Sequence, residues 1–352
     1  MGPVAVDLSR FVGPRIEDYR LHLLDVNDTF VRVLDGVTAM KYTANLDAMI
    51  QRGFSADLDY VTDISWQQAR FQPWVTVNGH KWPLGVFIPA SPTLYYEDDR
   101  TSASVSFLDK TAVLDQNKIE ETYGVDAGSV VTDVVTALIM STGETAVAIT
   151  TSTKTVRIPQ VWPPNTSILK IINDLLSSID YASLWSDGWG QYRAQPNINL
   201  AYAEPTLSLE YGVTALFARK YRRQQDVAGI PNKVILVSQA SGETPALVAT
   251  ATNTDPNSPY SYPARGNRWI TRTYDNVHAA DQSTLNSLAQ QYLWTASTPP
   301  AYLELQHAVI PVRVGEITQF VSPALTGRYV VNELTLDLNV GAQIAAKWKE
   351  IA

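Results

Sequence analysis

Alternating apolar and polar residues dominate the beginning and the end of this 352-residue chain. In TSASVSFLDK, Ala103, Val105 and Phe107 recur at every second position, which is the period of a strand with one buried face. Near the other end, Leu303 and Leu305 show the same period in YLELQHAV, and EITQFVSP and GRYVVNELTLDL follow it. Both ends of the chain are therefore predicted to form β-structure, with three strands in the last part.

The segment FQPWVTVNGHKWPLGVFIPA, residues 71–90, predicts a β-hairpin. Its Asn78-Gly79 pair tolerates the two positive φ angles of a type I′ turn. We expect the return strand at residues 84–88, with Pro89 ending it. His80 then lies at or just past the turn, which favours a structural role for this histidine over a chemical one.

Between about residues 110 and 199 the pattern changes to helical spacing. Apolar residues three and four positions apart predict one helix over residues 131–142. A second helix follows two prolines, with Asn165, Thr166 or Ser167 as its cap. Its wide apolar face consists of Ile168, Leu169, Ile171, Ile172, Leu175, Leu176 and Ile179. This region is predicted to be an α+β unit.

From about Ala203 the β pattern returns. NKVILVSQ predicts a strand over residues 232–239, and the Pro-, Asn- and Ser-rich residues 252–268 predict a loop without regular structure. AADQSTLNSLAQQYLW predicts a helix capped by Asp281 or Ser283. The predicted fold class is β-rich: mainly β with an α+β insertion.

Composition narrows the class of protein. The length favours two or three domains, and 45% hydrophobic residues are enough to build their cores. The absence of cysteine excludes disulfides, thiolate metal sites and cysteine nucleophiles. A net charge of −8 disfavours a lasting grip on phosphate backbones. No apolar run is long enough to predict a membrane span, and the first residues do not predict a secretory signal.

The residues that most often carry catalysis or bind metals are few and scattered. The four histidines, His22, His80, His278 and His307, show none of the HExxH or HxxxH spacings of metal sites. No GxSxG nucleophile elbow and no glycine-rich phosphate loop occurs. We therefore predict no catalytic residue, no metal site and no cofactor.

Asp187 has the most glycosidase-like setting among the carboxylates. It stands between two short predicted strands in YASLWSDGWGQYRAQP, flanked by Trp185 and Trp189. Exposed aromatic residues at turns suit sugar stacking or protein contact. An Asp-Gly pair is equally typical of a hairpin turn. Sugar chemistry and ordinary turn chemistry both stay open here.

The segment ARKYRRQQD carries the one cluster of basic residues. If the segment is extended, Arg219, Tyr221 and Arg223 share one face. A phosphate contact, a charged edge strand that blocks unwanted pairing and an interface with an acidic neighbouring subunit are the three roles to consider. The predicted interface residues are Trp74, Trp82, Arg219, Arg222 and Arg223.

The succession of segments resembles phage tail hub proteins, which are found at tail tips and baseplates. The resemblance starts in WVTVNGHKWPLGVFIPA and the following strand, and its carriers are Pro83, Leu84, Gly85, Phe87, Leu108, Asp109 and Leu114. It continues through SILKIINDLLSSIDYASLWSDGWGQYRAQP, NKVILVS, SPYS, the helix near residues 288–293 and VRVGEITQFVSPALTGRYVVNELTLDL. The order and spacing match from about residue 20 to 340, and Gly315-Glu316 stands where many hubs have Gly-Asp.

The resemblance implies two tail-tube-like β-barrel domains plus an inserted α+β domain. The first tube-like domain is expected at residues 1–110, completed by a strand near residues 205–225. The inserted α+β domain is expected at residues 111–204. The second tube-like domain is expected at residues 226–352, with an inserted helix near residues 281–295.

The resemblance also implies a structural virion protein without enzymatic activity. It would be a homotrimeric hub at the tail tip or baseplate that adapts the hexameric tail tube to the threefold tip and lines the DNA conduit. Expected partners are further copies of the chain, a distal tail or tail tube ring above, and a tail fibre or spike below, with DNA only in transit and no membrane span. The alternative is a carbohydrate-binding or glycan-hydrolysing β-protein that uses its turn aromatics.

Overall fold

The computed structural model describes residues 7–60, 64–156, 158–198, 200, 203–225, 229–238, 246–277, 282–296 and 301–351. The chain divides into two compact units, Met1–Tyr221 with Glu304–Ala352 and Arg222–Leu303. The first unit is therefore built from both ends of the sequence, and the second from an internal stretch.

Secondary structure begins with a 3₁₀ helix at Leu8–Phe11 and continues with eight strands that we call the β module: β1 (Glu17–Leu24), β2 (Phe30–Val33), β3 (Val37–Asn45), β4 (Arg52–Leu58), β5 (Arg70–Val77), β6 (His80–Pro83), β7 (Phe87–Glu97) and β8 (Arg100–Asp109). The middle segment, residues 112–194, contains α1 (Ala112–Gln116), β9 (Tyr123–Val125), α2 (Val131–Ser141), β10 (Val147–Ile149), β11 (Gln160–Trp162), α3 (Ile168–Ser178), β12 (Trp185–Ser186) and β13 (Tyr192–Ala194).

The remaining elements start with β14 (Leu207–Glu210). The second unit contains β15 (Arg222–Gln225), β16 (Lys233–Ser238), β17 (Val248–Thr252), β18 (Thr271–Val277) and α4 (Gln282–Ala296). The chain ends with β19 (Ala301–Ala308), β20 (Ile317–Val321), β21 (Thr326–Asp337) and β22 (Gln343–Glu350).

One long, mostly antiparallel sheet runs through the first unit. Its strands follow the order β19-β22-β21-β3-β4-β8-β7-β5-β1-β2, with β6 beside β5. β20 pairs with β21, and β14 joins β20 in parallel. The pairing of β3 with β21 connects strands from opposite ends of the sequence. The predicted fold class, mainly β with an α+β insertion, is confirmed.

The Asn78-Gly79 turn is present, but its return strand starts earlier than predicted. Asn78 and Gly79 have φ angles of 49° and 79°, as a type I′ turn requires. A two-residue turn fixes the register, so Val77 pairs directly with His80 and the return strand is β6. The prediction of a return strand at residues 84–88 is wrong, because residues 84–86 are irregular.

Pro89 does not end a strand either. It lies inside β7, which pairs with β8 over its whole length but with β5 only at Phe87. Beyond Phe87 the outer edge of β7 has no strand partner in the described part of the chain. Proline lacks the N–H that a central strand donates, so this edge is where a strand tolerates it.

Both helices predicted for the middle segment are confirmed. The Oγ atom of Ser167 accepts a hydrogen bond from the backbone nitrogen of Lys170 at 3.2 Å and caps α3. All seven residues of the predicted apolar face of α3 are buried, and they form one hydrophobic cluster with the buried face of α2. The predicted domain boundaries near residues 110, 204 and 226 stay predictions.

The second unit packs one helix on three strands. β16 is antiparallel to β17 and parallel to β18. Leu285, Ala289 and Leu293 of α4 are buried with residues of β16 and β17, so the predicted helix and strand are confirmed. Of its two predicted caps, Asp281 lies outside the described residues and Ser283 lies inside the helix. Residues 253–268 form turns without helix or strand, as predicted.

The last part of the chain contains the three predicted strands, β19, β20 and β21, and a fourth that was not predicted. In β22, Ile344, Ala346 and Trp348 are buried at every second position. The signal was present in AQIAAKWKE, but alanine is too small and lysine too polar to mark a strand clearly.

His307 belongs to the core of this last part. It is fully buried in β19, its Nδ1 atom lies 2.8 Å from the carbonyl oxygen of Ala308, and its ring is 5.9 Å from that of Trp348. Burial lowers the pKa of His307 to about 4, because the charged imidazolium loses its contact with water. The ring is therefore neutral at physiological pH.

The buried ring makes stability depend on pH in a defined window. An unfolded histidine takes up its proton near pH 6.5, whereas folded His307 does so only near pH 4, so the free energy of unfolding falls as the pH drops from 6.5 towards 4. Between pH 7.5 and 5.0 we expect the wild-type chain to lose about 2 kcal/mol more than His307→Phe, measured by urea unfolding. An equal loss in both proteins would contradict the assignment.

Candidate functional site

The histidines do not come together in the described residues. His80 is exposed and packs edge-on against Phe11, with ring centroids 5.8 Å apart. His22 is buried, and burial, reinforced by Lys81 and Arg20, lowers its pKa. His278 lies outside the described residues. In the described residues, no group of three or more His, Asp or Glu side chains could hold a metal ion.

A buried ionic cluster instead joins the β module to the middle segment. Lys110, which follows β8, is 1% exposed, and its Nζ atom contacts Asp28 Oδ2, Glu144 Oε2 at 2.8 Å and the carbonyl oxygen of Gly190 at 3.0 Å. Arg70 donates to Asp28 Oδ1 at 2.7 Å and to Glu144 Oε1 at 2.5 Å. We call these four charged side chains, Asp28, Arg70, Lys110 and Glu144, the ionic cluster.

Local structure places each member of the ionic cluster. Asp28 lies in the turn between β1 and β2 with φ of 62°, and Arg70 is the first residue of β5. Glu144 follows the end of α2. Burial disfavours the charge of Arg70, but hydrogen bonds to Glu144 and Asp28 outweigh it and raise the pKa of the guanidinium. Two cations and two carboxylates thus neutralise one another inside the protein.

A second buried pair lies at the same junction. Arg52 Nε donates to Asp109 Oδ2 at 2.5 Å, Nη1 donates to the carbonyl oxygen of Leu84 at 2.9 Å, and Nη2 contacts Ser186 Oγ of β12. Burial opposes the charge of Arg52, but Asp109 more than compensates and raises the pKa of the guanidinium. Leu84 and Asp109 are among the residues that carry the resemblance to tail hub proteins, so part of that motif contacts Arg52.

The turn between β12 and β13 packs tightly against the β module. A Cβ atom on Gly188 would lie 2.5 Å from the carbonyl oxygen of Pro83, and one on Gly190 would lie 2.8 Å from a methyl group of Val86. Gly190 also has φ of 80°, which favours glycine. Both positions therefore require glycine for the close approach of the two parts.

Asp187 shapes this turn. Its Oδ1 atom accepts hydrogen bonds from the backbone nitrogens of Trp189 and Gln191 at 2.9 and 3.1 Å, and its Oδ2 atom accepts from Arg193 at 2.5 Å. The residue is buried. The sequence left sugar chemistry and turn chemistry open for Asp187, and this geometry is that of a turn residue. It leaves the carboxylate no open face for a sugar.

Trp74 and Trp82, two predicted interface residues, lie on opposite sides of the hairpin. Trp74 is buried between His22, 5.2 Å away, and Trp189, 5.1 Å away, with Lys81 Nζ 4.4 Å from its ring centroid. Trp82 is half-buried, 6.1 Å from Phe11. Trp74 thus forms the floor of an aromatic surface, whose exposed members are Trp189 at 63% and Phe30 at 54%.

The basic run does not form one continuous strand. Arg219 and Lys220 are exposed in an irregular stretch, and Tyr221 turns inward, where its hydroxyl donates to Ser322 Oγ at 2.8 Å. The condition for a common face of Arg219, Tyr221 and Arg223, one extended segment, is therefore not met, because β15 begins only at Arg222. Arg222 and Arg223 are exposed in β15, in the second unit. All three arginines stay predicted interface residues.

The ionic cluster was not predicted from the sequence. Asp28 is 42 positions from Arg70 and 82 positions from Lys110 in the sequence, so no local spacing reveals that these residues pair. A weak signal existed in Lys110, a lysine that directly follows a buried strand and precedes the apolar residues Ala112 and Leu114.

None of the helices in the described part of the chain is long and apolar enough to span a membrane.

Removing one member of the ionic cluster should destabilise the protein strongly. In Lys110→Met, Asp28 and Glu144 stay buried with only Arg70 between them, so we expect a loss of about 3–5 kcal/mol in the free energy of unfolding. The control is Lys170→Met, which removes the exposed Lys170–Asp174 pair of α3 and should cost less than about 1 kcal/mol. Chemical denaturation measures both, and equal losses would contradict a buried cluster.

No protein-family model matches the chain, and no curated protein matches its sequence. Solved tail proteins do share its fold. A 43 kDa tail protein of prophage MuSo2 from Shewanella oneidensis superposes with a TM-score of 0.65 and 14% identity, over 95% of this chain and 98% of that one. A tail protein from Neisseria meningitidis MC58 gives 0.64 and 13%, over 94% and 96%. Prophage tail protein gp18 from Listeria monocytogenes EGD-e gives 0.53 and 9%, over 94% of each chain. This chain therefore has, over nearly its whole length, a fold that it shares with phage tail proteins.

Proposed function

We propose that this chain is a structural, non-enzymatic protein of a phage-type tail, located in the virion as a homotrimeric hub at the tail tip or baseplate. The observation that carries the proposal is the similarity of fold to three tail proteins, over at least 94% of this chain and of each of theirs. The match in both directions means that the residues of this chain and those of the three tail proteins correspond over nearly their whole length. A fold alone does not assign a function, so the side chains also matter.

The chemistry of the described side chains supports a structural role. The buried charges of the ionic cluster pair with one another across the junction of the β module and the middle segment, and Arg52 and Asp109 form a second buried pair beside it. A catalytic site needs titratable groups that can reach a substrate and exchange protons with it. Fully paired, buried charges instead hold two parts of a chain in one arrangement.

The hub would adapt the hexameric tail tube to a threefold tip and line the DNA conduit. Its neighbours would be a distal tail or tail tube ring above and a fibre or spike below. A net charge of −8 supports this role, because DNA that is only in transit must not be held by a cationic wall. Tail assembly and DNA ejection are the processes in which it would take part.

The proposal predicts a trimer in solution or on assembly. Three copies of the 38.9 kDa chain have a mass of about 117 kDa, which native mass spectrometry resolves from the monomer and the dimer. We expect the trimer to be the main species at micromolar concentration, or after addition of the neighbouring tail protein. A chain that stays monomeric under both conditions would contradict the hub.

A second candidate function, glycan binding, is favoured by the aromatic surface of Trp189, Trp74 and Phe30. The ring of Trp189 is exposed beside Trp74, and Lys81 places a hydrogen-bond donor over the Trp74 ring. Such a surface could bind a sugar chain by stacking without hydrolysing it.

A glycan array separates this candidate from the hub. If the aromatic surface binds sugars, Trp189→Ala should abolish the signal, whereas Trp294→Ala, at an exposed tryptophan of the second unit, should retain it. We expect no glycan signal from the wild-type chain, because the hub needs the surface only for protein contacts. A signal lost only in Trp189→Ala would favour the second candidate.

A further inference from the structure

A groove of about 220 Å³ lies between two segments of the first unit that are far apart in sequence. Phe11 and Val12 line it on one side, and Val213, Leu216 and Phe217 line it on the other. The second side is held in place by an antiparallel contact with β19, in which the backbone nitrogen of Ala218 donates to Gln306 at 2.8 Å. The lining is mixed, because Arg15, Thr214 and Gln343 stand among the apolar residues, and the volume suits one large side chain.

Arg15, which lines this groove, is held by two neighbouring residues. Arg15 lines the groove, its Nε atom donates to Glu17 at 2.9 Å, and its Nη2 atom donates to the carbonyl oxygen of Val309. Its Nη1 atom is buried and has no hydrogen-bond partner among the described residues. The contacts with Glu17 and Val309 therefore fix the Arg15 side chain beside the groove.

Two cations stand beside the groove. Arg219 and Lys220 are exposed and form no hydrogen bond or ion pair within the described part of the chain. Arg219 follows Phe217 by two positions, which places its backbone within about 7 Å of the groove wall. The groove therefore has a mixed apolar and polar lining with two cations beside it, and its occupant should combine an aromatic side chain that carries a polar group with carboxylates.

The chain itself carries a segment of that chemistry at the end of the β7–β8 hairpin. Tyr95 and Tyr96 are exposed, Tyr96 at 77%, and Glu97, Asp98 and Asp99 follow them. The three carboxylates form no ion pair or side-chain hydrogen bond within the described residues. We call residues 95–99 the hairpin tip.

Neighbouring charges and prolines leave the hairpin tip as the part of this hairpin that is available for contact with another chain. Arg100, the next residue, is bound by Asp59 at 2.8 Å and does not neutralise the tip. The free edge of β7 contains Pro89 and Pro92, which remove two amide donors and disfavour pairing with a strand of another chain. A contact through this hairpin is therefore expected at the tip and not along the edge.

We propose that the hairpin tip of one copy docks into the groove of a second copy, with a tyrosine in the groove and the carboxylates against Arg219 and Lys220. This inference rests on the proposed homo-oligomeric hub and names the surfaces that join its subunits. Because the tip and the groove are different surfaces, the contact is head-to-tail, and its repetition generates a ring when the rotation closes.

Site-specific crosslinking tests the contact directly, because the natural chain has no cysteine. Full-length Asp98→Cys and full-length Val213→Cys are mixed at a concentration at which native mass spectrometry shows oligomers, and a short bismaleimide is added. We expect a covalent dimer that contains one copy of each variant. The matched control replaces Asp98→Cys by Glu120→Cys, at an exposed acidic pair of the middle segment, and should yield at least about tenfold less dimer.

The outcomes separate the contact from the hub itself. Oligomers without the 98–213 crosslink, or with a crosslink of Asp98→Cys to itself, would overturn the docking proposal and leave the hub intact. A chain that is monomeric under every condition would overturn both.

Charge reversal gives a second, independent measurement. Arg219→Glu with Lys220→Glu should weaken self-association about tenfold or more, and so should reversal of Glu97, Asp98 and Asp99 to lysine. Both sets combined in one chain should restore association, because the charges are complementary again. Reversal of Glu120 and Glu121 to lysine is the control and should have no effect. Failure of the combined variant to regain association, with the fold intact by circular dichroism, would overturn the proposal.

Discussion

The ionic cluster of Asp28, Arg70, Lys110 and Glu144 is the constraint on which the arrangement of the first unit depends. Each of these charges is withdrawn from water, and a buried charge without a partner costs several kcal/mol. Three of the four come from the β module and its end, whereas Glu144 comes from the middle segment. The charges are satisfied only when the middle segment sits on the β module in one position, so the cluster specifies the arrangement as well as stabilising it.

The neighbouring contacts depend on that position. Arg52 can reach Ser186 and Asp109 together only if β12 lies against the end of β8. Gly188 and Gly190 then approach Pro83 and Val86 so closely that no side chain fits between them. The irregular residues 84–86, which interrupt the hairpin, have a role here: the carbonyl oxygen of Leu84 accepts a hydrogen bond from Arg52. Loss of the regular strand at this point allows the backbone to take part in the junction.

Local features of the sequence predicted local structure well. The Asn78-Gly79 turn and α3 followed directly from residues whose preferences act within a few positions, and the same holds for the turn role of Asp187. The return strand was placed wrongly because its apolar residues were given more weight than the register that a two-residue turn imposes. β22 was missed because its buried face relies on alanine as well as on Ile344 and Trp348. The ionic cluster could not be predicted, because its pairing is decided by tertiary structure. The resemblance to tail hubs nevertheless named Leu84 and Asp109, two residues that surround Arg52.

The fold shared with tail proteins and the paired charges of the ionic cluster support the proposal that the first unit serves as a building block of a ring at the tail tip. The most direct test of that account is electron cryo-microscopy of the purified assembly. We predict class averages with a threefold axis and a central opening through which DNA could pass. Particles that are single chains, or an oligomer whose centre is filled, would contradict it.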